Sequence, residues 1–480
     1  MSLAIKARAG VKWTTASAIA GAASQLLLTA VLAHFLEKKD FGLMAIALFV
    51  INFSQLFIDI GISNAIIHKQ TVTHNQLSSL YWCNIIIGFF LFGLLFTLAP
   101  LISGFYKEPL LKNIIRWVGL TFLIQPFGMQ FSTLLRKELH FKELAIRNII
   151  SRTIGLVIGA LLGFYGYGIY ALVYSTIAMA FLDMLLLVIL GRKIHSPSLH
   201  FRLTEIKPFF SFGMYQMGEK MINYINSDID TLIIGKFLGI ETLGIYNIAK
   251  NFVLKPFQVI NPILTRVAFP VMAKVQNDIP KLKSIYLKMQ SVLAFINFPV
   301  FIFMFFYAEA VILLIFGSRW LDAAMPLRIL SLYAMIRSTM NPIGSLQLAR
   351  GRADQGFYWN LVQSVILIVA VYLGSRGGIL GVCYTLLGIQ SILFIISWKV
   401  MVNPLCAADF IEFNAVFWEP LYLSFIPAVL LFPLLHFLFP AHNFSTAIVV
   451  LLLYLSLLAF IHIVIKKTFI VEVKRLLLNR

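Results

Sequence analysis

Fourteen times along this chain a predominantly apolar stretch runs for about 20 residues or more, at roughly 11–36, 41–66, 78–103, 110–134, 145–165, 167–191, 209–236, 241–268, 284–306, 322–348, 355–375, 377–399, 417–439 and 444–465. About 20 helical residues span the hydrocarbon of a bilayer, where unpaired backbone N–H and C=O groups are excluded and only helices or closed barrels are viable. Barrel strands alternate apolar and polar residues over about ten positions, and these runs are longer and more uniform than that. The fold expected is therefore an all-α polytopic membrane protein of about 14 transmembrane helices. Composition agrees, with 60% hydrophobic and 12% charged residues against about 25% charged in ordinary globular domains.

The net charge of +19 falls unevenly between alternate loops. With the N-terminus inside, clusters such as Arg136, Lys137, Lys142 and Arg147, or Arg192, Lys193, Arg202 and Lys207, lie on the inner side, and few lie outside. This is the positive-inside pattern, so the basic balance reads as topology and attraction to anionic lipid, with no nucleic-acid partner. Both termini are expected in the cytoplasm, and the first stretch, too long for a signal-peptide core, is expected to be retained as a helix. Cys83, Cys383 and Cys406 are scattered, which predicts neither a disulfide framework nor a metal site. No cofactor is expected. No loop exceeds about 20 residues and no phosphate-binding or hydrolase motif appears, so the chain is not expected to be an enzyme.

The halves echo each other. Phe35-Leu36, Phe41-Gly42 and Ile46-Ala47 return 202 positions later as Phe237-Leu238, Leu243-Gly244 and Ile248-Ala249. Pro126-Phe127-Gly128 with Arg136 and Phe141 returns as Pro342-Ile343-Gly344 with Arg352 and Phe357, and Gly168-Ile169 with Tyr174 as Gly378-Ile379 with Tyr384. The expected organisation is an N-terminal six-helix bundle over 1–200, a second over 201–405 in the same orientation and related by a pseudo-two-fold along the membrane normal, and extra helices 13 and 14 with a basic tail over 406–480. Paired bundles suit alternating access.

Candidate site residues are ionisable groups at membrane depth. The segment from Phe209 carries Glu219, Lys220, Asp228 and Asp230, and a charge near the bilayer centre costs about 2.5–3.5 kcal/mol even on lenient scales. Gln216, Glu219/Lys220, Asn223, Ser227 and Asp230 share one side of a helix, which points to a wet face. The eighth segment places Asn247, Lys250, Asn251, Lys255, Gln258 and Asn261 on one face, with the two lysines about 13–20 Å below the outer boundary. Arg116, Arg328 and Arg337 complete a basic set of the kind a buried diphosphate needs. The alternative is snorkelling for Arg116 and Arg328, and neutralisation of Glu219 or Asp228 by Lys220 and Lys250. Glu219, Asp228, Asp230, Asp59 and Asp183 are candidates for ion coupling, while a cap or inter-helix bond explains Asp59 and Asp183 equally well.

The run Asp228-Ile229-Asp230-Thr231-Leu232-Ile233-Ile234-Gly235-Lys236-Phe237-Leu238-Gly239, followed by Leu243-Gly244-Ile245-Tyr246, resembles the seventh-helix signature of Wzx-type polysaccharide flippases. The likeness is to the colanic-acid-exporter branch of the multidrug/oligosaccharidyl-lipid/polysaccharide exporter superfamily. It extends through Val267-Ala268-Phe269-Pro270, Gly351-Arg352 and Trp359-Asn360, and back to Val11-Lys12-Trp13 and Asp40-Phe41-Gly42. The resemblance implies translocation of an undecaprenyl-diphosphate-linked oligosaccharide across the bacterial inner membrane, for surface polysaccharide such as exopolysaccharide or O-antigen. It further implies a cationic central cavity and a lipid-tail groove at the final helix pair; the membrane-depth acids point to coupling to an ion gradient, and polymerase or export machinery is an expected partner. Rival expectations are a lipid II flippase, a cation/drug antiporter, and a membrane polysaccharide polymerase, which would need a larger outer loop.

Overall fold

A computed structural model of the chain describes residues 3–438 other than 60, 61 and 70, together with 449 and 452–457. These residues form α-helices joined by short loops. They divide into two compact units between Asn247 and Ile248.

The first unit holds α1 (Leu3–Ala33), α2 (Lys38–Asp59), α3 (Ile62–His68), α4 (His74–Tyr106), α5 (Pro109–Gly119), α6 (Thr121–Ile124), α7 (Pro126–Lys137), α8 (Phe141–Phe164), α9 (Tyr170–Gly191), α10 (Leu203–Phe237) and the first turns of α11 (Ile240–Lys274). Local chemistry sets the boundaries. At the start of α4, Thr73 accepts from the Gln76 N–H at 3.3 Å while Gln76 accepts from the Thr73 N–H at 3.1 Å, a reciprocal capping box. The helix ends at Lys107 in the left-handed conformation, φ 58°, and Pro109 then opens α5, where the missing N–H costs nothing. Helix α8 packs on both α1 and α9. A Cβ on Gly159 would meet Leu28 at 2.7 Å and Ser175 at 3.1 Å, the close approach through small residues on which helix association in lipid depends. Helix α10 packs against α2, α3 and α4, burying Ile206 and Phe209 with Ile62, Ile66, Leu80 and Leu134.

The second unit continues α11 and adds α12 (Ile279–Phe306), α13 (Ala308–Ile315), α14 (Ala324–Met340), α15 (Pro342–Ala349), α16 (Ala353–Ser375), α17 (Gly378–Ser397), α18 (Asn403–Cys406) and α19 (Phe410–Leu438). Helix α12 lies against α14 and α19, and α17 against α14 and α16. Tyr286, Leu293, Leu346, Val402, Cys406 and Phe413 are fully enclosed in one cluster. In the short described stretch at 452–457, Tyr454 is buried and donates to the Pro299 and Ser424 carbonyls at 3.0 and 3.3 Å.

Nine described helices are long and apolar enough to cross a membrane, and a bent pair, Pro109–Ile124 with Pro126–Lys137, meeting at 49°, makes a tenth. Helices α10 and α11 are longer, at 35 residues each, and carry the mid-helix charges. Every expected segment up to 417–439 coincides with a helix or a broken helix, while most of 444–465 lies outside the described residues. The three cysteines are separate buried thiols.

Proline breaks the fourth segment in one unit and the tenth in the other. Pro342 has no N–H, so the Ser338 carbonyl four residues earlier loses its helical donor. Asn261 of α11 supplies one, its Nδ2 donating to Ser338 O at 2.8 Å. Gln290 of α12 donates to the next carbonyl, Thr339 O, at 3.2 Å. Asn297 Nδ2 donates in turn to Asn261 Oδ1 at 2.9 Å, and Asn261, Asn297, Ser338 and Gln290 are all fully buried. The break is thus satisfied by side chains of neighbouring helices, as backbone irregularity at membrane depth requires.

Candidate functional site

Glu219 and Lys220 sit at the middle of α10, about 24–26 Å along the helix from Leu203 at 1.5 Å per residue. Both side chains are exposed. One helical turn or more further on the environment closes. Tyr224 donates to the Phe49 carbonyl at 3.1 Å and packs on the Phe49 and Phe53 rings. Asp228 is half-buried and Asp230 is buried. Asp230 accepts from the Tyr246 hydroxyl of α11 and from the Thr231 N–H at 2.9 Å. Exposure along this face is therefore graded, from accessible charge at the centre of α10 to a buried carboxylate near its end. Tyr246 was not foreseen as the partner of Asp230, since nothing in the spacing of the two residues marks it.

Elsewhere in the first unit, Asp183 of α9 is paired with Arg147 of α8 and accepts from Ser151 at 3.2 Å. Arg152 and Asn148 extend this polar layer to Ser17 of α1, with Asn148 Nδ2 donating to Ser17 Oγ at 2.8 Å. For Asp183 the inter-helix bond, one of the two expected alternatives, is present. Arg116 donates to the Phe96 carbonyl at 3.3 Å and lies 3.9 Å from the centre of the Phe96 ring, so a neighbouring helix engages its guanidinium. The side chains of Asp59 and Gln216 lie outside the described residues.

In the second unit, Lys250 is buried, Lys255 half-buried, and Asn251 and Gln258 exposed along α11. Asn247, the last residue of the first unit, is half-buried. Arg337 of α14 donates to the Tyr333 hydroxyl at 2.5 Å and stands 5.9 Å from the Phe257 ring of α11. Lys255, Phe257, Arg337 and the Asn261 bridge therefore occupy adjoining turns of two helices. Arg328 is drawn away to Glu309, at 3.4 Å. Sequence reasoning missed Glu309, whose only signal is an acid 19 positions earlier in the short helix α13.

A second feature is an apolar groove of about 360 Å³ between α12, α14, α17 and α19, lined by residues including Phe298, Met335, Phe394, Phe417 and Trp418. No cluster of three or more metal-ligating side chains occurs among the described residues.

Comparison with known proteins fits this architecture. A family model described as polysaccharide biosynthesis protein matches residues 31–325. The lipopolysaccharide biosynthesis protein WzxC of Escherichia coli K12 is 32% identical, covering 88% of this chain and 86% of that protein. The teichuronic acid biosynthesis protein TuaB of Bacillus subtilis 168 is 36% identical over 76% of this chain and 77% of that protein. Among solved structures, the lipid II flippase MurJ in an inward closed conformation superposes with a TM-score of 0.74 at 14% identity, covering 95% of this chain and 99% of that one. An inward-facing multidrug transporter of the MATE family, in the MOP superfamily, gives 0.60 at 14% identity over 80% and 96%. The fold is that of the flippases and drug transporters of this superfamily, and the chain belongs to the polysaccharide biosynthesis protein family of multi-span membrane proteins.

Proposed function

We propose that this protein is a flippase moving a polyprenyl-diphosphate-linked oligosaccharide repeat unit from the inner to the outer leaflet of a bacterial inner membrane, by alternating access. The observation that carries the reading is the exposure of Glu219 and Lys220 at the middle of a 35-residue helix. Charges facing lipid at that depth are strongly disfavoured, and charges lining a water-filled path are not. Family membership selects the cargo class, because the relatives WzxC and TuaB are named for the biosynthesis of glycans built on the cell surface.

On this reading Lys250, Lys255, Lys220 and Arg337 attract the diphosphate, with Asn247, Asn251 and Gln258 donating to sugar or phosphate oxygens. Arg116 and Arg328, held by Phe96 and Glu309, serve as anchors and contribute only long-range positive potential. The apolar groove suits a polyprenyl tail, being lined almost wholly by aromatic and aliphatic groups. Glu219, Asp228 and Asp230 remain the candidates for coupling to a proton or Na⁺ gradient. The termini lie in the cytoplasm, as the basic loops favour.

The test is a deletion strain scored for surface polysaccharide and for lipid-linked intermediates on the inner leaflet. Accumulation there with loss of surface glycan is expected, and normal glycan without accumulation overturns the proposal.

A further inference from the structure

Lys38 and Gly42, at the start of α2, precede Ile240 and Gly244, at the start of α11, by the same 202 positions that relate the two sequence copies. In the structure these two helix starts meet reciprocally. A Cβ built on Gly42 would fall inside 3.0 Å of the Ile240 carbonyl oxygen, and one on Gly244 inside 3.0 Å of the Lys38 carbonyl oxygen. The Gly244 Cβ would also come within 3.2 Å of the Gly42 nitrogen. Both glycines are buried. Each carbonyl belongs to the residue four positions before the glycine of its own helix, so it already accepts that glycine's N–H through one lone pair. The second lone pair faces the glycine Cα of the other helix. The four residues close a ring in which backbone meets backbone, with only the Ile240 Cγ2 methyl at its edge, 2.8 Å from where a Gly42 Cβ would fall.

We propose that this reciprocal glycine–carbonyl contact is a latch that holds the starts of α2 and α11 together and releases them once per transport cycle. The inference rests on the alternating-access reading above. Three observations support a latch over ordinary packing. The contact is repeated at equivalent positions of the two copies, so one motion breaks both halves of it. It consists of weak Cα–H to carbonyl contacts, which release without stranding a strong hydrogen-bonding group. And the first turns of α11, which the repeat assigns to the second copy, are packed with the first unit as far as Asn247, while the rest of the same helix belongs to the second. Packed elements of this kind have discrete arrangements, closed or parted, with little between.

The test uses the full chain in lipid nanodiscs with spin labels on Glu37→Cys and Glu241→Cys, both exposed positions; the native cysteines are buried. Gly42→Ala and Gly244→Ala are each expected to move the distance distribution from its short to its long population. The double variant should move it no further, because once the turns part both methyl groups are accommodated. Gly93→Ala, whose methyl meets nothing within 4 Å, should leave the distribution as in the parent. Unchanged distances in both single variants overturn the latch.

A second measurement does not depend on the alanine variants folding. Bridging Glu37→Cys and Glu241→Cys with a short bis-methanethiosulfonate, each arm forming a disulfide as methanesulfinate leaves, should abolish translocation of the lipid-linked repeat unit, with recovery on reduction. Transport by the bridged protein overturns the latch and leaves the flippase reading standing. Absence of transport in the parent overturns the flippase reading, and the label distances then decide the latch by themselves.

Discussion

Asn261→Leu tests how the break in the tenth segment is held. The substitution keeps the side chain's γ-branched shape, with somewhat larger terminal groups, and removes both of its bonds. Asn261 Nδ2 satisfies Ser338 O at 2.8 Å, and its Oδ1 accepts from Asn297 at 2.9 Å. Neither partner finds water, since Asn261, Asn297 and Ser338 are fully buried. Leaving a buried polar group unmatched costs about 1–3 kcal/mol, so two stranded groups set an upper expectation of about 2–6 kcal/mol. Inter-helix hydrogen bonds in membranes average only about 0.6 kcal/mol in double-mutant cycles, because the unfolded chain in lipid also finds partners. Two such bonds set a floor of about 1.2 kcal/mol. The expected loss is therefore about 2–3 kcal/mol, read by denaturant unfolding in detergent micelles. Replacing Asn297 as well, with Leu, should cost less than the sum of the two single losses, because Asn297 no longer needs the partner that was removed. A loss below about 0.5 kcal/mol for Asn261→Leu would refute the claim that this side chain replaces the donor missing at Pro342, and strict additivity with Asn297→Leu would refute its bond to Asn297.

Lys250→Gln and Lys255→Gln are expected to lower translocation at least tenfold while membrane insertion and yield stay at parental levels; undiminished transport in both would remove them from the diphosphate path. Asp183→Asn should destabilise by about 1–3 kcal/mol, below the ~3–5 of a fully enclosed pair, since the Asp183 side chain is 35% exposed. Arg147→Met with Asp183→Leu should then recover most of that loss, and a double variant as unstable as the single one would refute the pairing. His195, in the loop before α10, is buried beside His74, with ring centres 4.8 Å apart. Burial, and then the charge of His74, lower its pKa below 6.5. The folded chain therefore binds fewer protons here than the unfolded one, and stability is full above pH 6.5 and declines as pH falls toward the folded value, by at most about 1.4 kcal/mol per unit. Melting temperatures between pH 7.5 and 5.5 should show this slope in the parent and lose it in His195→Phe; an equal slope in both would refute the assignment.

The helices were legible because a membrane allows so few alternatives, and a run of 20 apolar residues suffices to place one. Pro126 and Pro342 stand at breaks for an equally local reason, the absence of an N–H, but the residue type alone does not single them out, since Pro256, Pro262, Pro299, Pro427 and Pro433 lie inside continuous helices. What rescues the freed carbonyl was not legible, because Asn261 lies 77 residues from Ser338 and was visible only as one member of a polar face. The same limit governed the arginines. A cation at membrane depth needs a partner, and sequence does not say whether that partner is a ligand, a ring and carbonyl on the next helix, as for Arg116, or a distant acid, as for Arg328. Snorkelling and cavity lining are both ways of meeting one electrostatic demand.

The comparison of the two copies at one register position carries the argument about charge furthest. At the offset of 202, Ser17 of α1 corresponds to Glu219 of α10. Ser17 is 9% exposed and bonded to Asn148 of α8, so in the first copy this polar position joins two helices. Glu219 is exposed, and a carboxylate could not replace the Ser17 hydroxyl without bringing a desolvated charge into that seam. Helix α1 thus has a packed hydroxyl where α10 carries an acid open to its surroundings. Packing against α8 encloses position 17, and among the described residues nothing comparable encloses position 219. On the proposed reading, this contrast places the ionisable part of transport on α10 and α11.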